Sequence, residues 1–206
     1  EFLAQMSHEI RTPINTILSF SSLIQEELYE QVDEELQSSF YSISNAGKRI
    51  IRTIDLILNM SEVQAGTYLP TFSKINMKED ILDDIYGEFH FHTKNKGLKL
   101  ELLCETEDHF IDADIYTVGQ IFNNLVDNAV KYTHKGSIKI LVSRDDSDRL
   151  VISISDTGIG MSNDYIPFLF TPFTQEDTGY TRKFEGNGLG LALVKNYCDV
   201  NNAKIS

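Results

Sequence analysis

The sequence of 206 residues predicts an α+β fold in two parts, a long helical hairpin followed by an α/β sandwich. Three observations carry this expectation. Apolar residues in the first third recur in alternating steps of four and three, the spacing of a packed helical seam. Further on, short β-prone runs alternate with helical stretches, as in a domain that layers helices on a sheet. Between the two rhythms, Ala65-Gly66-Thr67-Tyr68-Leu69-Pro70 has the composition of a linker, which divides the chain into residues 1–66 and 67–206.

In the first part, Leu3, Met6, Ile10, Ile17, Phe20 and Ile24 mark one helix, and Leu36, Phe40, Ile43, Gly47, Ile50, Ile54, Ile57 and Ser61 mark a second. The polar stretch Tyr29 to Glu35 supplies the turn between them. A two-helix hairpin buries too little apolar surface to stand alone. A second copy closing a four-helix bundle solves this, so a homodimer through the hairpin is expected.

In the second part the β-prone runs are Leu98–Cys104, Ser137–Ser143 and Leu150–Ser155. The helical stretches lie at about Lys78–Lys94, Tyr116–Tyr132 and Leu189–Val200. Asp145-Asp146-Ser147-Asp148 reads as the turn of a hairpin between the second and third strands. There is no internal repeat and no low-complexity tract.

Composition narrows the function. A net charge of −13 argues against a nucleic-acid surface, which needs clustered Lys and Arg. No apolar run approaches the roughly 20 residues that cross a bilayer, and no signal peptide opens the sequence. The chain is expected not to be membrane-inserted and to work in the cytoplasm. Cys104 and Cys198 lack metal-ligand or redox spacing, so both are expected as reduced thiols.

His8 lies two residues from Met6 and two from Ile10, so at 100° per residue it points away from that seam. Alone, such a histidine is an ordinary polar surface residue. Thr12, four residues on, shares its face, and Pro13 cannot donate to the Glu9 carbonyl. The apolar rhythm crosses Pro13 unbroken, which favours a kink in a continuous helix one turn past His8 over a helix start at Thr12-Pro13. Phe2-Leu3-Ala4-Gln5-Met6-Ser7-His8-Glu9-Ile10-Arg11-Thr12-Pro13 resembles the phosphoacceptor motif of the sensor histidine kinases almost throughout. The resemblance implies that a ring nitrogen of His8 attacks the γ-phosphorus of ATP while Glu9 orients the ring and accepts its proton. It associates Thr12 with the water that dephosphorylates a partner.

Three further segments resemble the ATP-binding half of that family, in its order. In Gln120 to Tyr132, Asn124, Asn128 and Lys131 share one helical face, and neutral amide oxygens suit Mg²⁺. The resemblance makes Asn128 the Mg²⁺ ligand, places Asn124 and Lys131 at the phosphates and Tyr132 over the adenine. In Asp156-Thr157-Gly158-Ile159-Gly160-Met161, a carboxylate at a strand end can accept from the adenine amine. Gly158 and Gly160 let the backbone turn toward the ligand. In Glu185 to Lys195, Gly186, Gly188, Leu189 and Gly190 open a helix and expose N–H groups to an anion. Between the last two segments, Phe168 to Phe184 has no clear period, as in a lid. Phe173 there matches the family's phenylalanine box, and Arg182 and Lys183 either close on the triphosphate or form a solvated charge pair. The stretch Thr174 to Gly190 is similar to hybrid-type members.

The resemblance implies a dimeric histidine kinase with a Bergerat-type ATP-binding sandwich. It would use ATP and Mg²⁺ and transfer its phosphoryl group to an aspartate of a response-regulator receiver domain, with a hinge near Gly66–Pro70 bringing ATP to His8. It leaves open an anchor of the parent protein in the inner membrane. Two other functions compete: a catalytically silent nucleotide-binding scaffold, and an ATPase or serine kinase of the same nucleotide fold. The family's first helix normally begins well before His8, and a further strand is expected beyond Ser206. Asn201-Asn202 stands where the family usually has a glycine pair, a mild change because Asn tolerates left-handed backbone.

Overall fold

A computed structural model describes residues 2–28, 33–176 and 187–206. The chain divides into two compact units, Glu1–Ala65 and Gly66–Ser206.

The first unit is a pair of antiparallel helices, α1 (Phe2–Glu27) and α2 (Glu34–Gln64). Asp33 starts α2 by accepting the Leu36 N–H on its side chain, a standard N-cap. Residues 29–32 of the expected turn lie outside the described residues. Arg11 donates to Asp55 across the pair at 2.5 Å, and a Cβ on Gly47 would sit 2.6 Å from Leu18 Cδ2. Both contacts fix the register of the two helices. Pro13 lies well inside α1, so the Thr-Pro pair does not start the helix.

The packed face of α1 differs from the expected seam. It follows Ser7, Arg11, Ile14, Leu18, Ser21 and Ile24's neighbour Gln25, one residue round from the predicted stripe. On α2 the expected seam splits. Phe40, Gly47, Ile54 and Ser61 turn inward, whereas Leu36, Ile43, Ile50 and Ile57 are exposed. With Met6, Ile10, Ile17, Phe20 and Ile24 also exposed, a second apolar stripe runs along the outside of the hairpin. Ile17 and Phe20 are 59% and 61% exposed. A single chain covers one stripe of each helix, and the residues read as one seam serve two different faces.

The second unit contains β1 (Phe72–Asn76), a π-helical turn (Met77–Leu82), α3 (Asp83–Asn95), β2 (Lys99–Cys104), β3 (Phe110–Asp114), α4 (Ile115–Tyr132), β4 (Ser137–Arg144), β5 (Leu150–Asp156) and α5 (Gly190–Val200). Strand order is β2-β4-β5, with β2 parallel and β5 antiparallel to β4. A separate antiparallel pair joins β1 to β3. In β4, Ile138, Ile140 and Val142 are fully buried and alternate with half-buried residues, as period-2 patterning requires. They meet Met77, Leu82, Ile85, Val126 and Ala129 from the helical layer. Burial of each Ile, Val, Leu or Met side chain among these contributes about 1.5–3 kcal/mol.

The hairpin turn forms as expected. The Asp145 N–H bonds to the Arg149 carbonyl, and Asp148 takes φ +60°. The Arg149 guanidinium and backbone N–H groups around Asp145 hold its carboxyl below the ordinary carboxylate range. Asn202 adopts φ +52° after α5, the left-handed state anticipated for the asparagine pair.

Candidate functional site

In the helical unit, His8 and Glu9 are exposed on α1, and the Thr12 hydroxyl donates to the His8 carbonyl at 2.9 Å. Thr12 therefore sits directly over the turn that carries the histidine, as the four-residue spacing requires. Ser7, beside it, is buried with its hydroxyl unpartnered among the described residues.

In the second unit, α4 is the spine on which the other segments converge. Asp114 caps its start, accepting the Thr117 N–H at 2.8 Å. At mid-helix Asn124 is buried, and its amide nitrogen donates to the Gln120 carbonyl at 2.8 Å. That bond turns the amide oxygen toward α5, where a Cβ on Gly190 would lie 3.2 Å from Asn124 Oδ1. Asn128, one turn on, is half-buried. Lys131 donates to the Tyr132 hydroxyl at 3.1 Å and sits 4.7 Å from its ring centroid, so the two side chains form one unit.

The end of α4 meets the loop that leaves β5. The Ile159 N–H bonds to the Tyr132 carbonyl at 3.3 Å. A Cβ at Gly158 would fall 2.6 Å from that carbonyl oxygen, so only glycine fits the approach. Asp156 ends β5, and its Oδ1 accepts the Gly158 N–H at 2.8 Å. The Thr133 hydroxyl lies 3.4 Å from the same oxygen. One carboxylate oxygen is thereby held by the protein.

Gly188 takes φ +70°, and a Cβ there would lie 2.6 Å from the Thr174 carbonyl oxygen. The Phe173 N–H donates to the Gly188 carbonyl at 3.0 Å. Phe173 itself has φ +62° and is 70% exposed. Its segment is held on the far side by Tyr165, whose hydroxyl donates to the Thr174 carbonyl, and by Glu176, which accepts the Ser162 N–H at 2.9 Å. Burial raises the Tyr165 phenol above its ordinary value, with Tyr132 and Glu176 adding to the shift.

Helix α5 begins at Gly190 without a side-chain cap and without an acidic residue in its first turn. Its leading N–H groups and the positive end of its dipole are matched to an anion. Asn187 orders the approach by accepting the Leu189 N–H at 3.1 Å. Asn124, Asn128, Lys131, Tyr132, Asp156, Gly158, Gly160, Gly188, Leu189 and Gly190 fall on α4, the β5 exit or the α5 start, and Phe173 lies in the loop between β5 and α5, joined to Gly188 by a backbone bond. Arg182, Lys183 and Gly186 lie outside the described residues. Thr133, Tyr165 and Glu176 were not anticipated. Their roles depend on tertiary contacts, and only the place of Thr133 directly after Tyr132 gave a sequence signal.

Two family models match. The His Kinase A (phospho-acceptor) domain matches residues 1–66. The histidine kinase-, DNA gyrase B- and HSP90-like ATPase model matches residues 113–206. The chain is 32% identical over 206 residues to an uncharacterised sensor-like histidine kinase of Rhizobium meliloti, covering 100% of the chain and 39% of that protein. It is 34% identical over 208 residues to the autoinducer 2 sensor kinase/phosphatase LuxQ of Vibrio harveyi, covering 97% of the chain and 24% of that protein. Among solved structures, full-length ShkA in complex with AMPPNP aligns with a TM-score of 0.77 at 26% identity, covering 97% of the chain and 41% of ShkA. The chain thus spans well under half the length of these relatives. With both models matched in order on two consecutive units, the chain belongs to the histidine kinases.

Proposed function

We propose that this chain is the catalytic core of a two-component sensor histidine kinase, in which residues 1–66 dimerise and carry the phosphoacceptor and residues 67–206 bind ATP. His8 takes the γ-phosphoryl group of ATP and passes it to an aspartate of a response-regulator receiver domain. The observation that carries this is the convergence of Asn124, the α5 N-terminus and the Asp156 loop on one domain, in a chain that also exposes His8 on α1.

Phosphoryl transfer needs mainly positioning and charge neutralisation. The α5 N–H groups would receive phosphate oxygens, Lys131 would add a positive charge, and the second oxygen of Asp156 would accept from the adenine amine. A ring nitrogen of His8 attacks the γ-phosphorus as ADP leaves, and Glu9 takes the ring proton. Among the described residues no three His, Cys, Asp or Glu side chains cluster to hold a metal. A single amide oxygen from Asn128 fits Mg²⁺, which takes its remaining oxygens from phosphates and water. When bound, the cation would neutralise phosphate charge.

Thr12 is proposed to position the water that hydrolyses the aspartyl phosphate of the partner, releasing inorganic phosphate. Its hydroxyl is engaged by the His8 carbonyl and would have to rotate for that role. Thr12→Ala is expected to keep autokinase activity and lose phosphatase activity. The whole proposal is tested by incubating the chain with γ-labelled Mg·ATP beside His8→Ala and Asn128→Ala. Acid-labile, alkali-stable label absent from both variants supports it. Nucleotide binding without label in the wild type would favour the silent scaffold.

A further inference from the structure

Helices α4 and α5, which carry the proposed phosphate site, are pinned together at the end remote from it by the side chain of Asn201. Helix α5 starts beside Asn124, where a Cβ on Gly190 would lie 3.2 Å from Asn124 Oδ1. Asn201, half-buried after the last turn of α5, reaches Asp114 and Thr117 at the start of α4. Helix α5 therefore runs back along the first half of α4.

The orientation of the Asn201 amide is dictated by its neighbours. Thr117 is fully buried, and its one hydroxyl proton goes to Asp114, whose Oδ1 lies 2.9 Å and carbonyl oxygen 3.1 Å away. Asp114 is itself saturated with donors. Its Oδ1 also accepts the Thr117 N–H at 2.8 Å and the Tyr68 hydroxyl at 2.9 Å, and its Oδ2 accepts the Thr71 N–H at 2.7 Å. The Thr117 oxygen is left to act as an acceptor. The Asn201 amide nitrogen donates to it at 2.8 Å and to the Tyr197 carbonyl at 2.8 Å. The amide oxygen then accepts the Asp114 N–H at 2.9 Å.

Elsewhere α5 buries a mostly apolar set, Ala192, Leu193, Val194, Tyr197 and Cys198. Apolar packing is non-directional and tolerates a small slide along the helix axis. Hydrogen bonds weaken steeply as their geometry departs from the optimum and do not. With 11 residues, α5 is a rod roughly 16 Å long, so a slide at one end is a slide at the other.

Resting on the function proposed above, we infer that Asn201 is a positioning residue for nucleotide binding: it sets the axial register of α5 on α4. That register decides where the leading N–H groups of α5 stand relative to the Asn124 amide. Asn202 has a different task. With φ +52° and an exposed side chain it makes the left-handed turn after the helix, for which glycine also serves. Asn201 has φ −90°, which any residue adopts, so its side chain is what the site requires.

The consequence is specific to phosphate, because adenine is proposed to be held by Asp156 at the end of β5 and not by α5. Asn201→Ala is expected to weaken Mg·ADP binding about tenfold, the worth of one hydrogen bond to a charged group, and to leave adenosine binding unchanged.

The test uses the full chain, with calorimetric titration for Mg·ADP and NMR titration for adenosine, after far-UV circular dichroism has shown each variant to be folded. Asn201→Asp keeps an oxygen for the Asp114 N–H and removes both donors. It is expected to lose Mg·ADP affinity as well, and it carries the test if Asn201→Ala does not fold. Asn202→Gly is expected to bind both ligands as the wild type does. Unchanged Mg·ADP affinity in the Asn201 variants overturns the inference while leaving the proposed function intact. An equal loss of adenosine affinity does the same, because it reports general loosening of the unit. A wild-type chain that binds neither ligand overturns the proposed function itself.

Discussion

Three glycines of the ATP-binding unit separate the conformational cost of a side chain from its steric cost. Gly160 and Gly188 both take φ +70°, so alanine at either meets the left-handed penalty of about 1–2 kcal/mol. A smaller unfolded-state entropy offsets roughly 0.5 kcal/mol of this. At Gly160 nothing lies within 4 Å of the new Cβ, and the cost stops there, at about 1 kcal/mol. At Gly188 the Cβ would lie 2.6 Å from the Thr174 carbonyl oxygen and 2.8 Å from the Phe173 carbonyl carbon. Both are backbone atoms that cannot rotate away, so a further 1–3 kcal/mol or so of overpacking is expected, about 2–4 in total. Gly190 is the contrast: it is the first residue of α5, a Cβ would be 3.2 Å from Asn124 Oδ1, and alanine favours the helix by less than the roughly 1 kcal/mol of an interior position. Gly190→Ala should leave stability nearly unchanged while pressing on the Asn124 amide and weakening ATP binding. Urea unfolding followed by far-UV circular dichroism measures the first effect and calorimetric titration with ATP the second. Equal destabilisation by Gly160→Ala and Gly188→Ala would refute the reasoning, because backbone strain alone would then explain both.

Other expectations concern the thiols, acid and self-association. Burial pushes the Cys198 thiol up to about 11, whereas Cys104 is exposed, so a thiol reagent at neutral pH should label Cys104 alone until the chain unfolds. Burial of Asp114 opposes its charge, but the bonds from Thr117, Thr71 and Tyr68 prevail and hold its carboxyl below the ordinary range. Its contribution to stability is therefore present above the ordinary carboxylate pKa of about 4 and is lost as pH falls through the lower, folded value. Asp114→Asn should flatten that acid limb in pH-dependent unfolding. Ile17→Glu combined with Ile50→Glu charges the exposed stripe of both helices and should convert a dimer to a monomer in sedimentation equilibrium, with helicity retained.

Much of this architecture was legible in the sequence because it rests on local rules. Short β-prone runs marked β2, β4 and β5, the Asp-rich turn marked the β4–β5 hairpin, and glycines marked the start of α5. The strands β1 and β3 were not anticipated. Phe72–Asn76 and Phe110–Asp114 are five residues each, and each mixes charges into its run. Their pairing is decided by contact with each other and with α4, which no short window contains. The helical seam was legible as periodicity but not as faces, since a stripe buried against the same chain and one left outside share a heptad. At the proposed nucleotide site the motif residues among those described fall on α4, the β5 exit, the Phe173 loop and the α5 start. The Asp114 node and the Tyr165 and Glu176 braces were invisible, because each joins residues far apart in sequence through a hydrogen bond.

The most direct test of the central claim is to locate the phosphoryl group. The chain is incubated with Mg·ATP, digested at neutral pH, and its peptides are sequenced by mass spectrometry under conditions that preserve phosphohistidine. The account predicts one added phosphoryl group on His8, in the tryptic peptide Glu1–Arg11, abolished by His8→Ala. Modification confined to serine or threonine residues, with the His8 peptide unmodified, would contradict it.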